Sequence, residues 1–484
     1  MRPTLQNIIC LTTLLAIAAL PAARAADTPV YMANGIKIGE VTQNRAIVWT
    51  RLTAAPERNA SGFPFPRLGS NREAGVGKTL LEITAGHPLA EMEGSAPGVP
   101  GLVRILCWSE KDPKKRTATD WRAVDTERDF TLQFPLEGLD PATQYILRAE
   151  GKPREDAQTT CTVDGRFRTA PEPGAAAPVS FMVVTGQDYH RRDDPDNGHQ
   201  IYAAMRKLDP DFFAHTGDIE YYDKAMPYAT NQDLARFKWN RIYAMPFQRA
   251  FHNKVASYFI KDDHDTVKND CWPKQHYGDL TWEQGLAIFR EQVPMGLKTY
   301  RTVRWGQDLQ VWLVEGRDFR SPNTMRDGPD KTIWGTEQKE WFKRTVTESD
   351  ASFRVLISPT PLVGPDRTNK GDNHANKAFA HEGRELRAFI AGQKDMVVIN
   401  GDRHWQYISV DGETGLREYS TGPTSDKHAG GWKQEDLFPE HRYLNVKGGF
   451  LHVTVKREDG KPTMRLQHRG VQGQVYHEDL LTAG

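Results

Sequence analysis

Val397-Val-Ile-Asn-Gly-Asp-Arg-His-Trp-Gln406 is an apolar run that stops in an aspartate and a histidine one residue apart. With Met396 before it, the run reads as a strand buried on both faces. Just upstream, Leu386, Phe389 and Ile390 share one helical face, as a helix laid against such a strand requires. A buried strand gains nothing from Asp402 and His404 at its tip, because desolvating them is costly unless something there compensates.

The same pattern repeats upstream. Phe181-Met-Val-Val184, Phe212-Phe-Ala, Tyr258-Phe-Ile260, Val311-Trp-Leu-Val314 and Val355-Leu-Ile357 are apolar runs, and Ile201, Met205 and Leu208 lie on one helical face among them. Strand and helix in alternation predict an α/β domain with central sheets flanked by helices. Ligands of such sheets bind beyond the carboxyl ends of the strands. Polar stretches stand at those ends: Thr185-Gly186-Gln-Asp188, then His215-Thr-Gly-Asp218-Ile-Glu-Tyr221, then Lys261-Asp262-Asp263-His264-Asp265, then Glu315-Gly-Arg317-Asp-Phe-Arg320, and finally Asn400-Gly-Asp402-Arg-His404. That many carboxylates on one rim repel each other unless cations bind between them. Carboxylate, imidazole and phenolate donors suit hard to borderline metals. A carboxylate shared by two ions about 3.5–4 Å apart polarises a phosphoryl oxygen and makes hydroxide available near neutral pH. A single Asp-x-His is a weak signal, and three such strand ends in order are a strong one.

The chain has 484 residues, enough for two domains, and its 63 Lys+Arg balance 63 Asp+Glu. That balance offers no nucleic-acid-binding surface and no polybasic membrane face. Arg2, the apolar run Ile8–Leu20 and Ala23-x-Ala25 read as a Sec-type signal peptide over residues 1–25, with no twin arginine, so a periplasmic or secreted protein is expected. No later stretch has the roughly 20 apolar residues of a membrane span. Residues 26–170 carry short strands with Gly and Pro punctuation, Leu80–Ile83 counted among them, and predict a β-sandwich. Leu139-x-Pro141-x-Thr143-x-Tyr145 resembles the signature of fibronectin type III domains, whose Tyr makes a corner bond. The Pro- and Ala-rich residues 171–178 read as a linker, and 179–484 as the second domain. Cys107, Cys161 and Cys271 make an odd number after the leader. Pairing of Cys107 with Cys161 and buried free thiols remain open alternatives.

His215-Thr-Gly-Asp-Ile-Glu-Tyr221, Asp262-Asp-His-Asp-Thr-Val-Lys-Asn-Asp270 and Asn400-Gly-Asp-Arg-His-Trp405, in that order, resemble the PhoD-like alkaline phosphatases, a family of the calcineurin-like metallophosphatases. Ala46–Leu52 and the helix start Trp334–Trp341 fit as well, and the resemblance spans most of the mature chain. It implies a metallophosphatase sandwich preceded by an all-β, fibronectin III-like domain, with phosphomonoesterase and phosphodiesterase activity at alkaline pH. It also implies a bridging Asp218, a ferric ion on Tyr221 and His404, and a second metal, often calcium, on Asp402, with zinc or manganese as alternatives. Asp263 takes the position of the superfamily's Asn, His264 that of the phosphate-touching histidine, and Asn269 is a further ligand candidate. Arg317 and Arg320 match positions expected to clamp phosphate.

Three departures stand out. Gly186 replaces a cysteine ligand of the family, which puts the iron in question and makes Asp188 a candidate in its stead. Glu315 replaces an Asp, and Asp372–Asn376 differs from the aromatic-rich loop expected there. Gly186 and the breadth of the fold leave two other readings: a catalytically impaired binding protein, or a metallohydrolase of another ester. There is no Gly-x-Ser-x-Gly and no need for a serine nucleophile. His374, His381 and His428 read as exposed loop residues, His215 as a strand histidine packed beside the site, and Arg191–Asp196 as a polar loop.

Overall fold

The computed structural model describes residues 28–69 and 71–484, so the signal-peptide reading lies outside the described residues. Two large sheets carry the structure. One runs in the order Val475–Thr482, Lys461–Arg469, Phe450–Glu458, Val179–Val184, Phe212–His215, Ala256–Phe259, Ile36–Gly39, Arg45–Arg51, Thr131–Glu137. The other runs Arg301–Trp305, Leu309–Leu313, Phe353–Ser358, Met396–Asn400, Arg417–Thr421, Gln406–Val410, His441–Asn445. The strands expected to bear the site pair in parallel within each sheet.

Alternation along each strand sorts the side chains into layers. Phe212, Ala214, Val311, Leu313, Val397 and Ile399 meet in one core between the two sheets. Their neighbours point outward. Met182, Val184 and Phe213 pack under Ile201, Tyr202 and Met205 of the Gln200–Lys207 helix. Trp312, Leu356 and Val398 pack under Phe342, Leu386 and Ile390 of the Gly335–Thr347 and Ala380–Ala391 helices. Helices therefore cover the outer face of each sheet. This explains the near-continuous apolar runs in the sequence, because neither face of these strands is wet.

Three strands of the N-terminal segment extend the first sheet. Gly39 pairs with Ser257 in parallel, and the Arg45–Arg51 and Thr131–Glu137 strands lie successively outward. A smaller sheet of Leu102–Ser109, Gln144–Lys152 and Cys161–Arg168, with two short strands, completes this segment. Tyr145 Oη accepts a hydrogen bond from the Asp140 backbone N–H at 2.8 Å, the corner bond expected of it. Tyr145→Phe should cost about 1 kcal/mol, the usual net worth of one hydrogen bond, read as a shifted urea midpoint at constant slope.

Leu80–Ile83 is a helical turn, not a strand. Thr79 and Glu82 form a capping box there, and that local Thr-x-x-Glu signal outweighs the apolar look of the stretch. Cys107 and Cys161 lie on strands that flank the Gln144–Lys152 strand on opposite sides, opposite Leu147 and Gly151. Two inter-strand steps and an offset of four residues along the middle strand put them roughly 16 Å apart, beyond disulfide reach. All three described cysteines are free thiols.

Candidate metal centre

The site forms where the carboxyl ends of both sheets meet. Gly401 makes the meeting close enough: a Cβ there would stand 2.3 Å from Thr216 Oγ1 and 2.8 Å from the Pro359 carbonyl. Only glycine lets the strand ending at Asn400 approach the one ending at His215. Asp218 and Asp402, just beyond those ends, both hold left-handed backbone, with φ of 54° and 63°. Aspartate tolerates that region better than most residues, but strain kept at two facing carboxylates marks a functional constraint.

Tyr221 Oη donates to Asp218 Oδ2 at 3.0 Å and lies 3.1 Å from His404 Nε2. His404 Nε2 is itself 3.7 Å from Asp218 Oδ2. Ligand atoms of Asp218, Asp262 and Asp402 lie within 4.8 Å of one another, and so do those of Asp218, Asp263 and His264. Asp218 Oδ1 and Asp262 Oδ2 are buried with no hydrogen-bond partner. The charges answer to the same crowding. Burial, then Asp263 and Asp402, push the Asp218 carboxyl up to about 7. Burial, with Asp263 and Asp218, lifts Asp262 well above the carboxylate range even though Arg317 opposes it. Burial, then Asp218, raises the Tyr221 phenol, and burial, then Lys224, lowers the His404 imidazolium. Orphaned acceptors beside a phenol and a neutral imidazole are the donor set a cation fits, because its charge removes each of these penalties.

His264 stands beside this cluster. Its Nδ1 is 2.5 Å from Asp223 Oδ1, and Asp223 Oδ2 accepts the Asn269 backbone N–H at 3.0 Å. Burial disfavours the imidazolium most, but Asp223, Asp263 and Asp218 together favour it, and the His264 pKa rises. Asp223→Asn should lower kcat by about 10–100-fold while bound metal stays unchanged, the scale of losing a group that orients another. Parallel kinetics and elemental analysis check this; loss of metal would place Asp223 among the ligands instead.

The remaining candidates divide. Asn269 lines the cleft with Asp218, His264, Asp402 and His404. Asp263 is buried against it, its oxygens accepting the His264 and Asp270 backbone N–H groups at 2.8 and 2.5 Å. Asp188 is not brought into the cluster. Its Oδ1 caps the turn at His190 and its Oδ2 lies 3.4 Å from Arg191, although its charge still acts on the Tyr221 phenol. Arg317 and Arg320 do not line the cleft either. Arg317 is fully buried behind it, bound to Asp262 at 2.6 Å and Asp372 at 3.2 Å, and Arg320 serves Asn323 and the Asp372 carbonyl. Their charges balance the carboxylates from beneath rather than facing a substrate. Glu315 likewise binds Lys261 at 2.7 Å.

Sequence reading misses Asp223, Asp262 as more than a bystander, and His428. Asp223 sits two residues beyond Tyr221, on the same loop, and that spacing is the available signal. His428 is not exposed but 3% accessible, lines the cleft, and packs its ring 4.0 Å from His404. It stands close to Gly186, whose Cβ would lie 3.2 Å from His404 Nε2 and 3.3 Å from Tyr221 Oη. His374 is also buried, 2.9 Å from Glu382 Oε2, and His381 is half-buried. His215 is buried as expected, its Nδ1 taking the Gly217 N–H at 3.3 Å. Cys271 Sγ lies 3.4 Å from the Asp263 carbonyl and belongs to the packing.

Two sheets face to face, helices outside, and a carboxylate-rich cluster at the strand ends describe a metallophosphatase. A solved structure described as that of PhoD has a TM-score of 0.70 at 16% identity, covering 95% of this chain and 90% of that one. Purple acid phosphatase PPD1 from yellow lupin (Lupinus luteus) seeds has a TM-score of 0.61 at 10% identity, covering 92% and 74%. These likenesses concern the fold. In sequence, alkaline phosphatase D of Bacillus subtilis (strain 168) is 20% identical over 509 residues, 89% of this chain and 77% of the relative. The family model for PhoD-like phosphatases matches residues 181–442, and that for their N-terminal domain matches 18–171. The chain belongs to the PhoD-like phosphatase family. It is a metal-dependent phosphoesterase.

Proposed function

We propose that Asp218 bridges two metal ions, one held with Tyr221 and His404, the other with Asp402 and the Asp262–Asp263 pair, Asn269 standing nearby. The observation that carries this is the buried Asp218, its Oδ1 partnerless, within reach of Tyr221 and His404 on one side and of Asp262 and Asp402 on the other. Such ions supply the charge that polarises a phosphoryl oxygen and lowers the pKa of water. The phenolate of Tyr221 favours a trivalent ion such as Fe3+, and the all-oxygen side favours Ca2+ or Mn2+.

The protein's own groups do the rest. His264, fixed through Nδ1 by Asp223, has Nε2 left to touch the phosphate or to give a proton to the leaving oxygen. Arg317 holds Asp262 in place at 2.6 Å and offsets part of the cost of its charge, without touching substrate. Backbone held at Asp218 and Asp402 keeps the carboxylates set before substrate arrives, which is where electrostatic catalysis gains most. The substrates are phosphate monoesters or diesters met outside the cytoplasm, after residues 1–25 are removed. Residues 26–170 support the catalytic part, 179–484, across the 171–178 connection. Among the described residues no helix is long and apolar enough to cross a membrane.

Hydrolysis of an aryl phosphate monoester and its diester, with and without chelator at neutral and alkaline pH, tests this. Turnover lost to chelator and restored by calcium or a transition metal is the expected result. Turnover that survives complete metal removal overturns it.

A further inference from the structure

We propose that the cleft is built for phosphate esters bearing a second anionic group, held by Arg72, Arg191 and Arg367 while the first is hydrolysed. This rests on the phosphoesterase reading and adds a substrate class to it.

Lys and Arg are 63 of the 484 residues, yet five of the fifteen described residues lining the cleft: Arg72, Arg191, Lys224, Arg367 and Lys370. The acidic lining residues are Asp218 and Asp402, both at the metal positions. A phosphoryl dianion facing two cations and His264 already has its charge met, so further cations are in excess for a simple monoester. Four separate chain segments deliver them, one from the N-terminal part, so they are not a by-product of one basic run.

The three arginines share one arrangement. Each approaches a carboxylate through Nε: Arg72 to Asp223 at 3.7 Å, Arg191 to Asp188 at 3.4 Å, Arg367 to Asp366 at 3.5 Å. These are ion pairs longer than a hydrogen bond, with Arg367 Nε left without one, and the guanidinium forks remain for a ligand as bidentate phosphate recognition needs. Their side chains are 46%, 47% and 37% exposed, so the forks reach solvent at the rim. They are anchored too. Tyr277 Oη donates to the Arg72 carbonyl at 2.5 Å, and the Arg367 guanidinium lies 5.8 Å from the centre of the Trp405 ring. Lys370 and Lys224 lie deeper, Lys370 3.6 Å from Asp372 and Lys224 4.7 Å from the Tyr221 ring centre. The same cleft, of about 230 Å³, contains both the metal positions and these arginines. A substrate whose phosphoryl group sits at the metal positions therefore has the arginines within the same cleft.

The test is calorimetric titration of the metal-loaded protein with phenylphosphonate and 1,4-phenylenebisphosphonate, neither of which is hydrolysed. The bisphosphonate should bind at least about tenfold more tightly, beyond its statistical factor of two, with a steeper salt dependence. Arg72→Ala with Arg367→Ala should collapse that ratio, and Arg72→Ala alone should reduce it. Equal affinities, or a preference that survives the double variant, overturn the proposal. Because binding is read without turnover, discrimination together with failure to hydrolyse phenyl phosphate would sink the phosphoesterase reading and leave the polyanion site standing. Nucleoside diphosphates and inositol polyphosphates then separate the sources of the second anion.

Discussion

Asp218→Asn is expected to lower kcat/KM for an aryl phosphate by about 10³-fold or more, the scale of losing a preorganised electrostatic contact at the reacting centre. The same change should weaken binding of both ions, because Asp218 stands between Tyr221 and His404 on one side and Asp262 and Asp402 on the other. It should not unfold the protein. Asn has the same shape, and Tyr221 Oη keeps an oxygen to donate to. In metal-free protein the sign reverses. Burial and neighbouring carboxylates raise the folded Asp218 pKa to about 7 against an ordinary 3.8, so the folded state binds the extra proton between those values. Stability of the metal-free wild type should therefore fall as pH rises through that window, and Asp218→Asn should remove this contribution. An enzyme lost in activity and gained in metal-free stability at pH 8 is the signature of a ligand. A variant that loses both would mark Asp218 as structural.

Arg317→Ala is expected to cost about 3–5 kcal/mol of stability, the range for breaking a buried ion pair from one side. Arg317 is 0% exposed and holds Asp262 at 2.6 Å and Asp372 at 3.2 Å, with the Cys271 carbonyl at 3.3 Å. Removing it leaves buried Asp262 without its cation and Asp372 with only Lys370 at 3.6 Å, in a cluster already crowded with negative charge. Urea unfolding should show a lower midpoint, with Arg72→Ala, at the rim, as a near-neutral control within about 0.5 kcal/mol. A cost below about 1 kcal/mol would mean that Asp262 and Asp372 find other partners or protonate without penalty.

Much of the fold is legible in the sequence because parallel strands covered on both faces leave unmistakable apolar runs. Phe212–Ala214, Val311–Leu313 and Val397–Ile399 all lie in strands, and the polar residues after them converge as the strand-end rule expects. Local chemistry is harder to read. Leu80–Ile83 has a strand's composition and a helix's cap, and the cap decides. Arg317 and Arg320 carry the residue type of a phosphate clamp, but only the three-dimensional packing tells that Asp262 and Asp372 occupy them. The reverse holds for Arg72, Arg191 and Arg367, which look like surface residues until separate segments are folded around one cleft. His428 reads as exposed because its neighbours are loop-like. Its packing against the His404 ring at 4.0 Å is a property of the fold and has no trace in the sequence around it.

We propose that Asp218 joins two metal positions at the ends of the two sheets. Anomalous diffraction from crystals of protein purified without chelators, collected on both sides of the iron edge and supported by elemental analysis, tests it most directly. Two peaks flanking the Asp218 carboxylate are predicted, one beside Tyr221 and His404, the other beside Asp402. A single peak remote from Asp218, or an active enzyme with no metal there, would contradict it.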